Sequence, residues 1–340
     1  MNRLKLAVVL VSLTAAVAQA ASKGDWRSLL EKPDDWFRGG QGQRIVANVL
    51  SWQSPSGSWP KNLDPTAEPF SGDPRTLRGT FDNSATTDEL RFLARAFRAT
   101  QAERCREAFL KGVDHVLHAQ YPTGGWPQFY PPDKQYHRYI TFNDDTMVRL
   151  LDFVREVATK PENDFVDAGR RQAAQAAFER GIQCILKCQV VVHGTLTVWC
   201  AQHDEITLEP RPGRAYEQVS LSGAESVRIL ELLMNLDYPA DEVIRAVDAG
   251  LAWFDAVRLT GIRIDKVNGD KVVVADPAAP PLWARFYEIG TNRPFFCGRD
   301  GVKKYRLAEI EAERRNGYAW YGEWGARLPP EYRQWKKRTK

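Results

Sequence analysis

Apolar residues recur along this chain with the 3.6-residue period of amphipathic helices. Leu90, Leu93, Ala94 and Phe97 form one stripe, Val148, Leu151 and Val154 a second, and Val227, Leu230, Leu233 and Met234 a third. Between them a more literal repeat appears. Ala108-Phe109-Leu110-Lys111-Gly112 leads into Val113 to Gln120. Ala177-Phe178-Glu179-Arg180-Gly181 leads into Ile182 to Gln189, and Ala246-Val247-Asp248-Ala249-Gly250 into Leu251 to Val257. The copies stand 69 and 69 residues apart, with an incomplete first copy at Ile45 to Gln53.

The earlier helices each run into a tryptophan loop, Gly57-Ser58-Trp59-Pro60, Gly125-Trp126-Pro127 or Val198-Trp199-Cys200. A second helix then begins near Thr86, Asp145 or Ser222, and Thr86-x-x-Glu89 reads as a capping box. A unit of about 69 residues is one helical hairpin plus a long loop, and such hairpins bury a core only by packing side by side. The pattern predicts an all-α toroid whose long loops emerge from one end. One stretch departs from it: Ile262 to Asp265, Val267-Asn268-Gly269-Asp270 and Val272 to Val274 predict a small β-hairpin with an Asn-Gly turn.

The first twenty residues stand apart. Asn2, Arg3 and Lys5 precede a short apolar run from Leu6 to Val17, and Ala18-Gln19-Ala20 offers a signal-peptidase site. That run is too short to span a bilayer and nothing later is longer. The expectation is an exported chain, periplasmic or extracellular, with residues 1–20 a signal peptide and 21–340 one catalytic domain, acting as a monomer. Without Arg3 and Lys5 the 47 basic residues become 45 against 43 acidic, a net +2 that permits a polyanionic partner without requiring one. The 11 Trp residues fit either a sugar-binding cleft or a core. Five cysteines cannot all pair and no Cys-x-x-Cys occurs, so a zinc site or disulfide framework is not expected, although one bridge is open to an exported chain.

The polar residues that carry chemistry gather in the loops. Thr80-Phe81-Asp82-Asn83 and Thr141-Phe142-Asn143-Asp144-Asp145 echo one another just before a helix. Helix capping would explain one such residue. It explains less well the adjacent Asp144 and Asp145, whose charges repel unless a cation is near. Carboxylates and amides of this kind suit Ca²⁺, and without EF-hand spacing the ligands must come from separate loops. Glu209-Pro210-Arg211-Pro212-Gly213-Arg214-Ala215-Tyr216-Glu217 is a stiff loop presenting two guanidinium groups, and a second such loop carries Arg293 and Arg299. Either is a solvated surface loop or a carboxylate clamp. His115 and His118 read as structural, whereas Gln202-His203-Asp204-Glu205 can line a cleft. No Ser-His-Asp signature, phosphate-cradling loop or nucleic-acid module is present, so a nucleic-acid partner is not expected.

Together the Gly57-to-Lys61 loop, Thr80 to Thr87, Tyr121 to Tyr130, Ile140 to Asp145, Trp199 to Glu217 and Trp283 through Tyr305 to Gly322 resemble the pectate lyases of polysaccharide lyase family 10. The resemblance covers nearly the whole chain after the leader. It implies an open (α/α)₃ toroid that cleaves α-1,4-polygalacturonate by Ca²⁺-assisted anti β-elimination to 4,5-unsaturated products. It also implies Arg214 as base, Asp82 and Asp144 as calcium ligands and Arg299 as a substrate-carboxylate arginine. Asn83, Asp145, Arg293 and Lys61 are the further substrate-binding candidates. Arg214 rather than Arg211 follows from the Arg-Ala-Tyr-Glu that it begins. Two rivals remain open on the residues alone: a glycoside hydrolase using Asp82 and Asp144, or Glu205, as an acid/base pair, and a non-catalytic sugar-binding protein using the Trp loops.

Overall fold

The computed structural model describes residues 26–338, and the expected leader at 1–20 lies outside them. Two short helices, Trp26–Leu30 and Asp34–Arg38, precede helix α1 (Gly40–Ser51). Three antiparallel helical hairpins follow: α2 (Thr87–Thr100) with α3 (Glu103–Ala119), α4 (Thr146–Thr159) with α5 (Ala168–Cys188), and α6 (Glu225–Met234) with α7 (Asp241–Ala256). Helix α8 (Leu328–Arg338) closes the described chain against α6. The arrangement is the open (α/α)₃ toroid. The partners of each hairpin join by short links, so the long segments 52–86, 120–145 and 189–224 all connect one hairpin to the next at the same end.

The 69-residue repeat has a packing cause. A Cβ on Gly112 would stand 2.2 Å from Leu90 Cδ2, one on Gly181 2.3 Å from Leu151 Cδ2, and one on Gly250 2.7 Å from Leu230 Cδ2. The same glycine thus admits the same leucine in all three hairpins, letting the paired helices approach closely.

A glutamine then ties each hairpin to the next. Gln53 donates to Gly57 O (3.1 Å) and Ala108 O (2.8 Å), Gln120 to Gly124 O (2.9 Å) and Ala177 O (2.8 Å), and Gln189 to Thr197 O (2.9 Å) and Ala246 O (2.9 Å). The carbonyls it reaches are those of the first alanine in each repeat.

The loop tryptophans are core. Trp59, Trp126 and Trp199 are fully buried, and their indole N–H groups donate to the carbonyls of Val49, Val116 and Ile185 at 2.8, 2.8 and 2.7 Å. These three therefore offer no face to a sugar. Thr86 is not a helix cap: its φ is 73°, and its hydroxyl instead joins Thr80 O (2.8 Å) to Trp59 N–H (3.0 Å). All five cysteines are buried and free.

A three-stranded sheet crosses the loops, with β1 (Ile140–Thr141) pairing to β2 (Gln202–His203) and β2 to β3 (Pro210–Arg211). It delivers β1 into the Asp144 turn and β3 into the Arg214 loop. The expected hairpin forms as β4 (Ile262–Val267) and β5 (Asp270–Ala275) around Asn268 and Gly269, both at positive φ.

Candidate active site

Asp82 and Asp144 occupy equivalent single 3₁₀ turns, Asp82–Ser84 and Asn143–Asp145, which lie against one another. In each turn two consecutive residues are forced into positive φ: Asn83 at 54° and Ser84 at 63°, Asp144 at 51° and Asp145 at 61°. None of these side chains caps the following helix. The capping explanation falls, because strain at a non-glycine residue is kept here without the cap that would offset it.

Asp82 is buried, and its Oδ2 accepts from Lys61 Nζ and from Gln128 Nε2 (2.6 Å). Asp144 is more open. Its Oδ2 accepts from Asn143 Nδ2 at 2.7 Å, while Arg285 Nη2 lies 3.4 Å from Oδ1. Asn83 Nδ2 reaches Asn62 Oδ1 at 3.4 Å. Asp145 turns toward the helices, 3.9 Å from Arg149, and burial raises its pKa above the ordinary carboxylate value against the pull of Arg149 and Arg228.

Arg214 is the half-exposed tip of a turn closed by Gly213 N to Glu217 O (2.9 Å) and Glu217 N to Arg214 O (2.7 Å). Glu217 is buried and takes Arg214 Nε and backbone N–H on Oε2, each at 2.9 Å, and Nη2 on Oε1. Gly213 cannot carry a side chain there, since a Cβ would stand 2.6 Å from Glu217 Oε2. Burial works against the Arg214 charge, but Glu217 outweighs it and holds the guanidinium protonated beyond its ordinary range. Arg211 is spent elsewhere, on Asp204 at 3.0 Å.

A continuous path joins the arginine turn to the aspartate turn. Tyr318 Oη donates to Glu217 Oε1 at 2.9 Å, Arg285 lies over the Tyr318 ring at 4.8 Å, and Arg285 reaches both Glu225 and Asp144. Arg285 is itself fixed at both backbone groups, N–H to Trp320 O (2.8 Å) and carbonyl to Gly223 N–H (2.9 Å). Tyr136 links the other side, close enough to Arg214, Glu217 and Asp82 for all three charges to act on its hydroxyl, which burial holds protonated.

Arg299 is exposed and pairs with Glu313 at 3.0 Å. Glu313 also holds Arg314, which lies 4.7 Å over the Tyr216 ring, so Arg299 is one carboxylate removed from the Arg214 loop. Arg293 lies over Tyr305 at 3.4 Å, apart from these turns. His203 does not line the cleft: it is buried, with Nε2 accepting Cys200 N–H (3.1 Å) and Nδ1 facing Leu208 O (2.8 Å). Glu217, Tyr318, Arg285 and Gln128 escaped the sequence reading as functional side chains. Arg285 had a signal, a charge flanked by Trp283-Ala284 and Phe286-Tyr287.

The donors bear on whether a cation fits. Among the described residues no group of three or more His, Cys, Asp or Glu could hold a metal. Asp82 and Asp144 supply hard carboxylate oxygens, which suit Ca²⁺ in kind. Lys61, Gln128 and Asn143 already use one oxygen of each, so most of a coordination shell would have to come from water and a ligand.

Comparison with known proteins places this helical toroid among the polysaccharide lyases. The profile of the pectic acid lyase family matches residues 53–328, and the chain belongs to that family, the pectate lyases of polysaccharide lyase family 10. A family 10 polysaccharide lyase from Cellvibrio cellulosa is 35% identical, with a TM-score of 0.81 over 92% of this chain and 95% of that one. An aspartate-to-alanine mutant of a family 10 polysaccharide lyase from Cellvibrio cellulosa, in complex with trigalacturonic acid, is 34% identical, with a TM-score of 0.79 over 91% and 97%. No curated protein sequence matches the chain. The glycoside hydrolase and non-catalytic readings are set aside by this membership.

Proposed function

We propose that this lyase cleaves α-1,4-linked polygalacturonate by anti β-elimination with Ca²⁺ at Asp82 and Asp144 and with Arg214 as base. The observation that carries it is the contact path from Arg214 through Glu217, Tyr318 and Arg285 to Asp144. In the reaction Arg214 takes the C5 proton, the C5–H electrons form C4=C5, and the C4–O bond breaks with its electron pair on the leaving sugar oxygen, which takes up a proton from solvent. When bound, Ca²⁺ would neutralise charge developing on the C6 carboxylate.

The chain's own residues do the rest. Glu217 grips the Nε–Nη2 edge of Arg214, so Nη1 is the group free to meet the C5 proton. Accepting that proton requires a neutral guanidine, which Glu217 disfavours, so the active form is a minor one that grows with pH. Lys61 and Arg285, beside Asp82 and Asp144, add positive charge where the substrate carboxylate would sit. Arg299 would hold a second carboxylate by its forked donors.

The trigalacturonic acid held by the structural neighbour supports a galacturonate polymer as substrate. The apolar leader and the absence, among the described residues, of a helix able to cross a membrane support export. The test is incubation with polygalacturonate, with and without EDTA, following near-ultraviolet absorbance of the unsaturated uronide. Absorbance that rises and is lost on chelation is expected. Reducing ends without absorbance would overturn the elimination.

A further inference from the structure

Beside the Asp82 turn stands a guanidinium with no role in the scheme above. Arg78 donates through Nη2 to Asp133 Oδ2 at 2.8 Å, and its Cζ lies 4.2 Å from the centroid of Phe129. Asp133 is in turn fixed: its Oδ2 meets His137 Nδ1 at 2.9 Å and its Oδ1 accepts Gln135 N–H at 2.9 Å. Two supports therefore hold the Arg78 head, and yet its side chain remains 59% exposed. Anchoring one donor on a carboxylate and one face on a ring leaves the Nε and Nη1 donors to solvent, already oriented.

The place matters as much as the posture. Phe129 follows Gln128, whose side chain donates to Asp82 and whose carbonyl accepts Phe81 N–H at 3.0 Å. Lys61, the cation on Asp82, also lies 5.9 Å from the Phe129 centroid. The ring is thus shared by two cations, one at the acidic turns and one outside them. Tyr136, within reach of the Arg214 and Asp82 charges, lies 4.0 Å from His137, the partner of Asp133. The Arg78 cluster thus borders the Asp82 turn through Phe129, Gln128 and Lys61.

We propose that Arg78, braced by Phe129 and Asp133, is a carboxylate-binding subsite for a uronate unit next to the one that is cleaved. This deepens the polygalacturonate reading and rests on it. A polyuronate presents a carboxylate on every sugar, and a pre-oriented guanidinium recognises one with little ordering cost. A tie between the 77–82 and 128–137 segments would be the purely structural role, and it would affect folding and kcat rather than KM.

The experiment compares wild type, R78A, R78K and the remote R263A, a matched loss of an exposed arginine on the β4–β5 hairpin, with polygalacturonate as substrate. Thermal unfolding of each variant is followed in parallel. R78A is expected to raise KM about tenfold, equal to about 1.4 kcal/mol, with kcat within about threefold and unfolding within a few degrees. R78K recovers part of the KM, and R263A changes neither constant. An unchanged KM in R78A, a fall in kcat at fixed KM, or no recovery in R78K overturns the subsite. Failure of the wild type to make unsaturated product would instead overturn the underlying reading, and the subsite with it.

Discussion

Glu217 holds Arg214 at two places on its guanidinium and a third on its backbone, and Tyr318 donates to the same carboxylate at 2.9 Å. The pairing fixes which nitrogen of Arg214 can approach a ligand. E217Q keeps the side-chain shape, loses the charge and can accept along only one edge. Hydrogen bonds to charged groups contribute about 1.5–3 kcal/mol, so kcat should fall on the order of ten- to a hundredfold with KM changed little. An E217Q enzyme with wild-type kcat would show that Glu217 does not orient the base.

The same carboxylate governs pH dependence. It raises the Arg214 pKa against the effect of burial, so at neutral pH the neutral guanidine is scarce and increases about tenfold for each pH unit. A plot of log kcat/KM should therefore climb with a slope near one through neutral and mildly alkaline pH. R214A should abolish turnover with the fold intact by circular dichroism. A bell centred below neutrality would assign the base to a carboxylate or histidine instead.

The proposed calcium dependence should carry the mark of a sparse donor set. With only Asp82 and Asp144 to offer, Ca²⁺ alone should bind weakly, in the roughly 10⁻⁴ to 10⁻³ M range of open extracellular sites. D82N and D144N should each raise the Ca²⁺ concentration for half-maximal activity at least about tenfold. Calorimetry without substrate, showing micromolar Ca²⁺ binding that survives D144N, would place the ion elsewhere.

Two buried histidines set an acid limit on stability. Burial lowers the pKa of His115 and of His203 to about 4, from an ordinary 6.5. A folded-state pKa below the unfolded one means that the unfolded chain binds the extra proton first as pH falls. Stability from these groups is therefore complete above about pH 6.5 and lost progressively down to about pH 4. Urea midpoints should drop steeply across that window, and H115Q should flatten the slope by about half. A midpoint constant from pH 7 to 4.5 would contradict the burial argument.

The sequence made the helical repeat legible because helix pairing imposes a period that residues cannot hide. Gly112, Gly181 and Gly250 stand where Leu90, Leu151 and Leu230 must enter, so the fold wrote itself at fixed spacing. The paired turns at Asp82 and Asp144 were legible for the same reason, as duplicated loop ends. Glu217 and Tyr318 were not: their chemistry comes from meeting across 101 residues, and nothing in local periodicity marks a long-range contact. The Trp loops left two readings open. An exposed sugar platform and a buried wedge share one composition, and only the indole bonds to Val49, Val116 and Ile185 distinguish them. Thr86 likewise had the spacing of a cap but gives its hydroxyl to Thr80 and Trp59.

The glutamine that ends each repeat offers a test of how the hairpins cooperate. Gln189 is buried and its amide nitrogen donates to Thr197 O within its own loop and to Ala246 O in the next hairpin, both at 2.9 Å. Q189L fills a similar volume but leaves two buried carbonyls without this donor, at about 1–3 kcal/mol for each unsatisfied group. The loss should appear as a lower denaturant midpoint with an unchanged slope if the toroid unfolds as one unit. A second transition would instead mean that α6 and α7 separate first. Because the 189–224 loop carries Arg214, such a variant should lose activity at a lower urea concentration than it loses helix, whereas Q53L, at the far end of the ring, should lose both together. Coincident loss in both variants would show that the ties hold the ring as a whole rather than hairpin by hairpin.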